Sequence, residues 1–212
     1  GFDAANKLSI ITFHTFGITI PPHQIPVSGI QNLGDMDIDA VRKNGCKLKL
    51  QASIEADEQQ EVSGYVLPVL VSATDEIFDI EDEFNAVIIE GLFSGAQVFK
   101  GKGAGGHPTG SAVLSDISAS TYQYRYEYKK HFQNRQFKSA YHQELNFYLR
   151  VKEPELIHDL GFYDIKDQHE HKGYLRLLAR NNLQNIVKHR EAFSKKDIFV
   201  AVIKDLSLTW QW

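Results

Sequence analysis

Two groups of residues in this 212-residue chain have the types and the spacing that chemistry requires. The first is a glycine run, Gly101-Lys-Gly-Ala-Gly-Gly-His-Pro-Thr-Gly110, which follows an apolar segment and opens into a helix of small residues. Glycine lets a backbone approach a ligand closely, and the first turn of a helix offers unpaired N–H groups and a positive dipole end. We therefore interpret this glycine loop as facing a phosphate, a carboxylate or the flat face of a cofactor, and not as a turn without a ligand.

The same loop matches the dinucleotide fingerprint G-x-G-x-x-G at Gly101, Gly103 and Gly106. That fingerprint belongs to the start of a βαβ unit with an acidic residue about 20 positions later, at the end of a second strand. Glu127 lies at about that offset, but inside the run Tyr122-Gln-Tyr-Arg-Tyr-Glu-Tyr128. The context therefore excludes a Rossmann site here.

The second group is Asp3 and Lys7, four residues apart in a segment with helical character. Residues at i and i+4 share one face of a helix, so a carboxylate can hold an ammonium charged and oriented for proton transfer to a developing alkoxide. From the spacing alone, an ordinary surface ion pair is the better explanation of the two residues.

Composition excludes several classes of protein. The net charge is −4, so no overall field favours nucleic acid or anionic lipid, and no apolar stretch approaches the roughly 20 residues that span a bilayer. Cys46 is the single cysteine, which excludes an internal disulfide and favours a reducing cytoplasm. We expect no nucleic-acid partner and no membrane partner.

Five basic residues lie among aromatic residues, and we interpret the segment that contains them as a connector between domains: Arg125, Lys129, Lys130, Arg135 and Lys138.

The elements that position these residues follow from hydrophobic periodicity. Apolar residues at Leu8, Ile10, Ile11 and Phe13 predict a helix over residues 2–16, with Gly17 as its stop. The remaining predictions for the first half are a helix at 35–44, strands at 47–54 and 62–72 (the latter broken at Pro68), a hairpin at 85–100 around Ser94-Gly95, and a helix at 109–118. The alternating tyrosines of 122–128 indicate either an edge strand or an extension of that last helix.

The second half predicts strands at 145–151, 162–165, 174–179 and 198–203, with a short helix at 153–160 and a longer one at 182–193. The polar residues 166–173 are interpreted as a turn. Together the two halves predict an α+β fold, in which an antiparallel or mixed sheet covered by helices is followed by a small ferredoxin-like β-α-β-β-α-β unit. We expect a first domain at 1–120, a connector at 121–143 and a second domain at 144–212.

His169 and His171 alternate along this polar segment, but two histidines without further ligands do not define a metal site, and we predict no metal.

Seven segments, taken in order, resemble the later half of the catalytic and dimerisation domain of homoserine dehydrogenase. They are Gly1-Phe-Asp-Ala-Ala-Asn-Lys-Leu8, Phe16-Gly17, Gly29-Ile30, Asp37-Ile38, Lys49-Leu50, Asn85-Ala-Val87 and the glycine loop continued to Val113. The resemblance covers about residues 1–118. Its two ends, G-x-D-A-A-x-K-L and G-x-G-A-G-x-x-P-T-x-S-A-V, are the specific ones.

The resemblance implies an NAD- or NADP-dependent interconversion of L-aspartate 4-semialdehyde and L-homoserine, in threonine and methionine biosynthesis. It implies that Lys7 supplies or takes the proton at the carbonyl oxygen and that Asp3 orients Lys7 or binds the substrate amine. Gly101, Gly103, Ala104, Gly105 and Gly106 would border the nicotinamide end of the cofactor. It also implies a homodimer.

The family's Rossmann domain is missing from these 212 residues. We therefore expect the chain to be a fragment that binds no cofactor and is inactive alone. The second domain resembles a degenerate ACT domain, because Lys152-Glu-Pro-Glu155 replaces the usual Asp-x-Pro-Gly loop. An amino-acid effector is therefore a possible partner, and a non-catalytic dimerisation or amino-acid-binding regulatory module is the alternative function.

Overall fold

The computed structural model describes residues 1–133, 137–204 and 210–212. The helices are α1 (Phe2–Phe16), α2 (Asp35–Lys43), α3 (Gly106–Thr121), α4 (Lys129–Phe132), α5 (Leu156–Asp159), α6 (Leu183–Lys188) and α7 (Arg190–Lys195), with a 3-10 turn at Pro22–Gln24. The strands are β1 (Lys47–Ala56), β2 (Glu61–Val71), β3 (Phe84–Gly91), β4 (Gly95–Lys102), β5 (Lys138–Ser139), β6 (Glu144–Val151), β7 (Tyr163–His171), β8 (Tyr174–Asn182) and β9 (Ile198–Ile203).

The chain divides into two compact units. Unit 1 contains Gly1–Ser72 together with Tyr128–Trp212, and unit 2 contains Ala73–Glu127. These boundaries differ from the expected domains at 1–120 and 144–212, because the two ends of the chain share one sheet. Arg135, one of the five basic residues of the expected connector, lies outside the described residues.

Unit 1 is built on a sheet with the strand order β1-β2-β9-β6-β8-β7, to which β5 adds beside β2. The last strand, β9, joins the two parts of the chain. It runs antiparallel to β6 and pairs in parallel with β2 at Val69–Val202 and Leu70–Ile203. The α+β class with a mixed sheet covered by helices is thus confirmed.

The C-terminal half of unit 1 has the ferredoxin-like element order β6-α5-β7-β8-α6/α7-β9. Its four strands lie in the order β9-β6-β8-β7, and each neighbouring pair is antiparallel. Asn182 caps α6, because its side chain accepts a hydrogen bond from the backbone N–H of Gln184 at 2.8 Å.

The core of unit 1 forms where the sheet meets its helices. All six residues of β9 are buried, as is most of β2, which explains why both read as continuous apolar runs. One buried cluster joins α1 to β2 through Ala5, Leu8 and Val66, and a second joins α2 to β6 and β9. Cys46 lies in the second cluster as a small core residue.

Helix α1 has the expected bounds and ends at Gly17 in the left-handed conformation, with φ of 76°. A Cβ atom there would lie 2.3 Å from the carbonyl oxygen of Lys130. Both the left-handed conformation and this close contact therefore require glycine. The buried face of α1 is Ala5, Leu8 and Thr12, whereas Ile10 and Ile11 are exposed.

The expected break of the second strand at Pro68 is wrong, since β2 continues through Pro68, which pairs with Leu50. Val66 makes its backbone hydrogen bonds to Pro26 and Ser28, on the side away from β1. By alternation Pro68 faces that side too, where pairing with β9 starts only at Val69. The missing N–H therefore falls in a gap of the ladder.

The expected turn at 166–173 is also wrong. Strand β7 extends to His171, and the turn is only Lys172-Gly173, both with positive φ. Register shifts after Tyr163 and Lys166 interrupt the alternation that would have revealed this strand in the sequence.

Unit 2 contains the expected hairpin, with β3 and β4 paired from Phe84–Lys102 to Gly91–Gly95, and helix α3. No residue from 73 to 127 is buried. The tyrosine-rich segment after α3 forms neither of the two expected structures, because residues 124–128 are outside both helix and strand. No helix of the described residues is long and apolar enough to cross a membrane.

Candidate functional site

The expected pair at the start of the chain forms on α1. The Nζ atom of Lys7 lies 2.8 Å from Oδ2 of Asp3, and the side chains are 70% and 82% exposed, respectively. The opposite face of the helix carries Ala5 and Leu8 into the core. The helix is therefore fixed on one side while the ammonium stays accessible to a ligand on the other.

The end of α1 is held by residues that follow unit 2 in the chain. The ring of Phe13 packs edge-on against Tyr128 at 5.7 Å and lies 5.4 Å from the ring of His131. Nδ1 of His131 is 3.0 Å from the carbonyl oxygen of Gly17. These contacts fix the C-terminal end of α1, the helix on which Lys7 lies. The sequence did not indicate that α4 would hold α1 in place.

The glycine loop lies in unit 2 between β4 and α3. Gly101 belongs to β4 and pairs with Asn85, Gly103 to Gly105 form the connection, and α3 begins at Gly106. Gly105 has φ of 115°, a conformation that other residues rarely adopt, and its carbonyl oxygen accepts hydrogen bonds from the N–H and the hydroxyl of Thr109.

Three of the glycines meet different surroundings. A Cβ atom on Gly101 or Gly106 would have no atom within 4 Å, whereas on Gly103 it would collide with the side-chain amide of Asn85. Packing within the unit therefore does not explain Gly101 or Gly106. Open space over Gly106, at the N-terminus of α3, and over Gly101, near the end of β4, leaves room for a ligand that contacts the backbone.

Asp3 and Lys7 belong to unit 1 and the glycine loop to unit 2. The structure brings Asp3 and Lys7 together, and it keeps Gly101, Gly103, Ala104, Gly105 and Gly106 in one loop.

His169 and His171 lie on β7 with their rings stacked at 6.3 Å, and the ring of Trp212 stacks on His169 at 5.9 Å. Across the described residues, no group of three or more His, Cys, Asp or Glu side chains is arranged to hold a metal ion.

Sequence reasoning missed a buried charge cluster between α2 and the sheet. Arg150 donates from Nε to both carboxylate oxygens of Asp37 at 3.0 Å and from a terminal nitrogen to Asp197 at 2.9 Å. The Tyr148 hydroxyl donates to Asp37 at 2.8 Å, and burial followed by the Asp37 charge raises the pKa of Tyr148. Asp37 and Arg150 are 113 positions apart, so no local pattern indicates the pair.

The family model for homoserine dehydrogenase matches residues 1–118. This is more than half of the chain, and the chain belongs to the homoserine dehydrogenase family. The match also covers both predicted groups of site residues.

Among curated proteins, the chain is similar to the homoserine dehydrogenases of Mycobacterium leprae and Lactococcus lactis. The first is 36% identical over 121 residues, which is 55% of this chain and 27% of the relative. The second is 33% identical over 117 residues, again 55% of this chain and 27% of the relative. The matched part is thus about a quarter of each relative's length.

Among solved structures, a homoserine dehydrogenase from Thiobacillus denitrificans aligns with 97% of this chain and 53% of its own, with a TM-score of 0.70 at 21% identity. A homoserine dehydrogenase from S. aureus gives a TM-score of 0.62 at 22% identity over the same 97% of this chain. At this identity the likeness concerns the fold, and it extends beyond residue 118 into the C-terminal half.

Proposed function

We propose that this chain is the catalytic and dimerisation part of a homoserine dehydrogenase that interconverts L-aspartate 4-semialdehyde and L-homoserine with NAD or NADP. The observation that carries the proposal is the Asp3–Lys7 pair: it lies on an accessible face of a core-anchored helix, within the segment that the family model matches. The reaction serves threonine and methionine biosynthesis.

In this proposal Lys7 handles the proton at the reacting oxygen. Oriented by the neighbouring carboxylate, Lys7 as an ammonium donates a proton to the carbonyl oxygen during reduction, and as the neutral amine it takes the hydroxyl proton during oxidation. Asp3 orients Lys7 at 2.8 Å, and its second carboxylate oxygen can receive the substrate amine.

The glycine loop fits the cofactor that the family uses. The open space over Gly101 and Gly106, and the φ of 115° at Gly105, suit a backbone that approaches a flat ring closely. When bound, the nicotinamide exchanges the hydride with the substrate. We propose that this loop contacts the cofactor in the complete enzyme and that Lys7 contacts the substrate.

Cofactor binding in this proposal needs polypeptide outside the 212 residues. The chain has no strand-to-helix turn with a dinucleotide fingerprint at the start of a βαβ unit. The chain alone is thus proposed to bind no NAD or NADP and to be inactive. The ribose-binding residues, which distinguish the two cofactors, would lie in that other polypeptide.

A homodimer is proposed from unit 2. Large apolar side chains are exposed on its hairpin and helix, with Phe93 98%, Leu114 67% and Phe99 57% accessible. Apolar surface of this extent suits an interface. A single cysteine, Cys46, suits a cytoplasmic enzyme.

The alternative function is a non-catalytic dimerisation or amino-acid-binding regulatory module. It is supported by the β9-β6-β8-β7 strand order, which suits an ACT-like unit and a possible amino-acid effector. In that case Lys7 would be only a surface lysine.

A chimera separates the two functions. Residues 1–118 replace the matched segment of the Mycobacterium leprae relative, and homoserine oxidation is followed by NADPH absorbance. We expect turnover, and we expect Lys7→Met to lower kcat by about 10²- to 10⁴-fold, the usual loss when a general acid is removed. The unfolding free energy should change by less than about 1 kcal/mol, since the ion pair is exposed.

Lys43→Met is the matched control, because Lys43 is also exposed in unit 1 and is not proposed to act. A kcat for Lys7→Met within twofold of the control would refute the catalytic role and favour the regulatory module.

A further inference from the structure

Unit 1 contains a pocket of about 560 Å³ that the proposed reaction does not use. It is lined by the segment that enters α2, by the turn between β7 and β8, by Arg150 and Arg176 of the sheet, and by Asp197 just before β9. The pocket is distinct from the outer face of α1, since neither Asp3 nor Lys7 lines it.

All three guanidinium nitrogens of Arg150 already donate to protein groups. Besides its bonds to Asp37 and Asp197, its remaining terminal nitrogen donates to the carbonyl oxygen of Asn32 at 2.6 Å. The charge of Arg150 is therefore compensated by protein groups. It forms a wall of the pocket and does not provide a binding group.

Arg176 is different. It is 6% exposed, and its Nε atom is buried with no hydrogen-bond partner among the described residues. A terminal nitrogen makes a long contact of 3.5 Å to the carbonyl oxygen of Met36. Within the described part of the chain, no carboxylate lies within 4 Å of it. The ring of Trp212 lies 5.3 Å from the guanidinium carbon, a contact that leaves the Nε–H unsatisfied.

A buried guanidinium that meets no carboxylate among residues 1–133, 137–204 and 210–212 is costly to leave without an anion, so its position at the wall of a pocket favours a ligand as its partner. The neighbouring groups add donors. Lys172 and His171 line the same pocket, and so do Asp35 and Met36, whose N–H groups belong to the first turn of α2 and have no intrahelical acceptor.

We propose that this pocket binds a small molecule through one carboxylate or phosphate group, with Arg176 as its main anchor. A guanidinium presents donors in a planar fork that matches the oxygens of either group. Lys172 and the first turn of α2 contribute further positive potential.

The pocket also limits the charge of the ligand. Asp35 and Asp39 line it, and both are exposed. Two carboxylates near the donors disfavour a polyanion, so the ligand carries one acidic group on a neutral or cationic body. Removing either negative charge should then strengthen anion binding.

His171 provides an independent reporter. Its pKa lies below the ordinary value, first because of desolvation and then because of the positive charges of Arg176, Lys172 and His169. A bound anion offsets these charges, so occupancy of the pocket should raise the pKa of His171.

The test titrates the 212-residue chain with sodium phosphate and, separately, with sodium acetate, against sodium chloride at equal ionic strength. Binding is followed by calorimetry and by NMR of the His171 ring. We expect saturable binding of at least one anion with a higher pKa of His171. Preference for phosphate or for acetate identifies which acidic group the ligand carries. Failure of both anions to saturate overturns the proposal.

Variants locate the site. Arg176→Gln should weaken binding at least tenfold, whereas Arg180→Gln, on the same strand and paired with Glu144, should change it less than twofold. If circular dichroism shows that Arg176→Gln does not fold, the exposed positions decide: Lys172→Ala should weaken binding and Asp35→Asn should tighten it at least twofold. Equal affinity of the folded variants and the parent overturns the proposal.

Discussion

Replacing Asp37 with alanine should destabilise unit 1 more than any exposed substitution in the same helix. Asp37 is fully buried and accepts hydrogen bonds from Arg150, from the Tyr148 hydroxyl and from the backbone N–H of Gly34 at 2.9 Å. Its loss leaves a buried guanidinium and a buried hydroxyl without their acceptor. Removing one partner of a buried ion pair lowers the free energy of unfolding by about 3–5 kcal/mol.

Arg150 keeps its hydrogen bonds to Asp197 and to the carbonyl oxygen of Asn32 after this change. We therefore expect the free energy of unfolding to fall by about 3 kcal/mol, the lower end of that range. Urea unfolding of the 212-residue chain, followed by circular dichroism, measures it. With a slope of about 1–3 kcal/mol per molar urea, the midpoint should fall by at least about 1 M.

Asp35→Ala is the matched control, since Asp35 lies in the first turn of the same helix but is exposed. It should lose only the favourable interaction with the helix dipole, about 0.3–1 kcal/mol. The destabilisation by Asp37→Asn should lie between those of Asp37→Ala and Asp35→Ala, because the amide keeps one acceptor oxygen and loses the charge. Equal destabilisation by Asp37→Ala and Asp35→Ala would refute the account of the buried cluster.

Two further stability predictions follow from the same unit. Gly17→Ala should lower the free energy of unfolding by more than about 2 kcal/mol, because it combines a positive φ with a collision at the Lys130 carbonyl. Gly45→Ala is the control: its φ is 68° with open space around it, so urea unfolding should show a loss of about 1–2 kcal/mol. Equal losses would contradict the contact with α4. Burial raises the pKa of Tyr148, so above the ordinary value of 10.0 the unfolded chain releases a proton that the folded chain retains. Tyr148 should therefore leave the free energy of unfolding unchanged below pH 10 and lower it above pH 10 by about 1.4 kcal/mol per pH unit. Tyr148→Phe should lose stability less steeply with rising pH. The same pH dependence in the variant and the parent would contradict a raised pKa of Tyr148.

The local elements of the fold were predictable where the sequence pattern is itself local. Helix α1 with its glycine stop, the hairpin around Ser94-Gly95 and strand β9 follow from periodicity and turn residues. Pro68 misled the prediction, because tolerance of proline depends on where the neighbouring strands pair. Only the start of strand β7 was predicted, at 162–165, because two register shifts interrupt the alternation of the rest of the strand.

Long-range organisation was not predictable from the sequence. The insertion of β9 between β2 and β6 merges the two ends of the chain into one sheet, and a contact over more than 120 residues leaves no local trace. Arg150 and Arg176 read as ordinary strand residues in the sequence. Only the fold reveals that one is compensated and the other is not.

The most direct test of the central proposal is amide hydrogen exchange of the chimera, with and without homoserine and NADP together. If Lys7 contacts the substrate and the glycine loop contacts the cofactor, the peptide of residues 2–8 and the peptide of residues 103–109 should both gain protection at the same ligand concentration. Protection of one segment while the other is unchanged would contradict the role proposed for the unprotected segment.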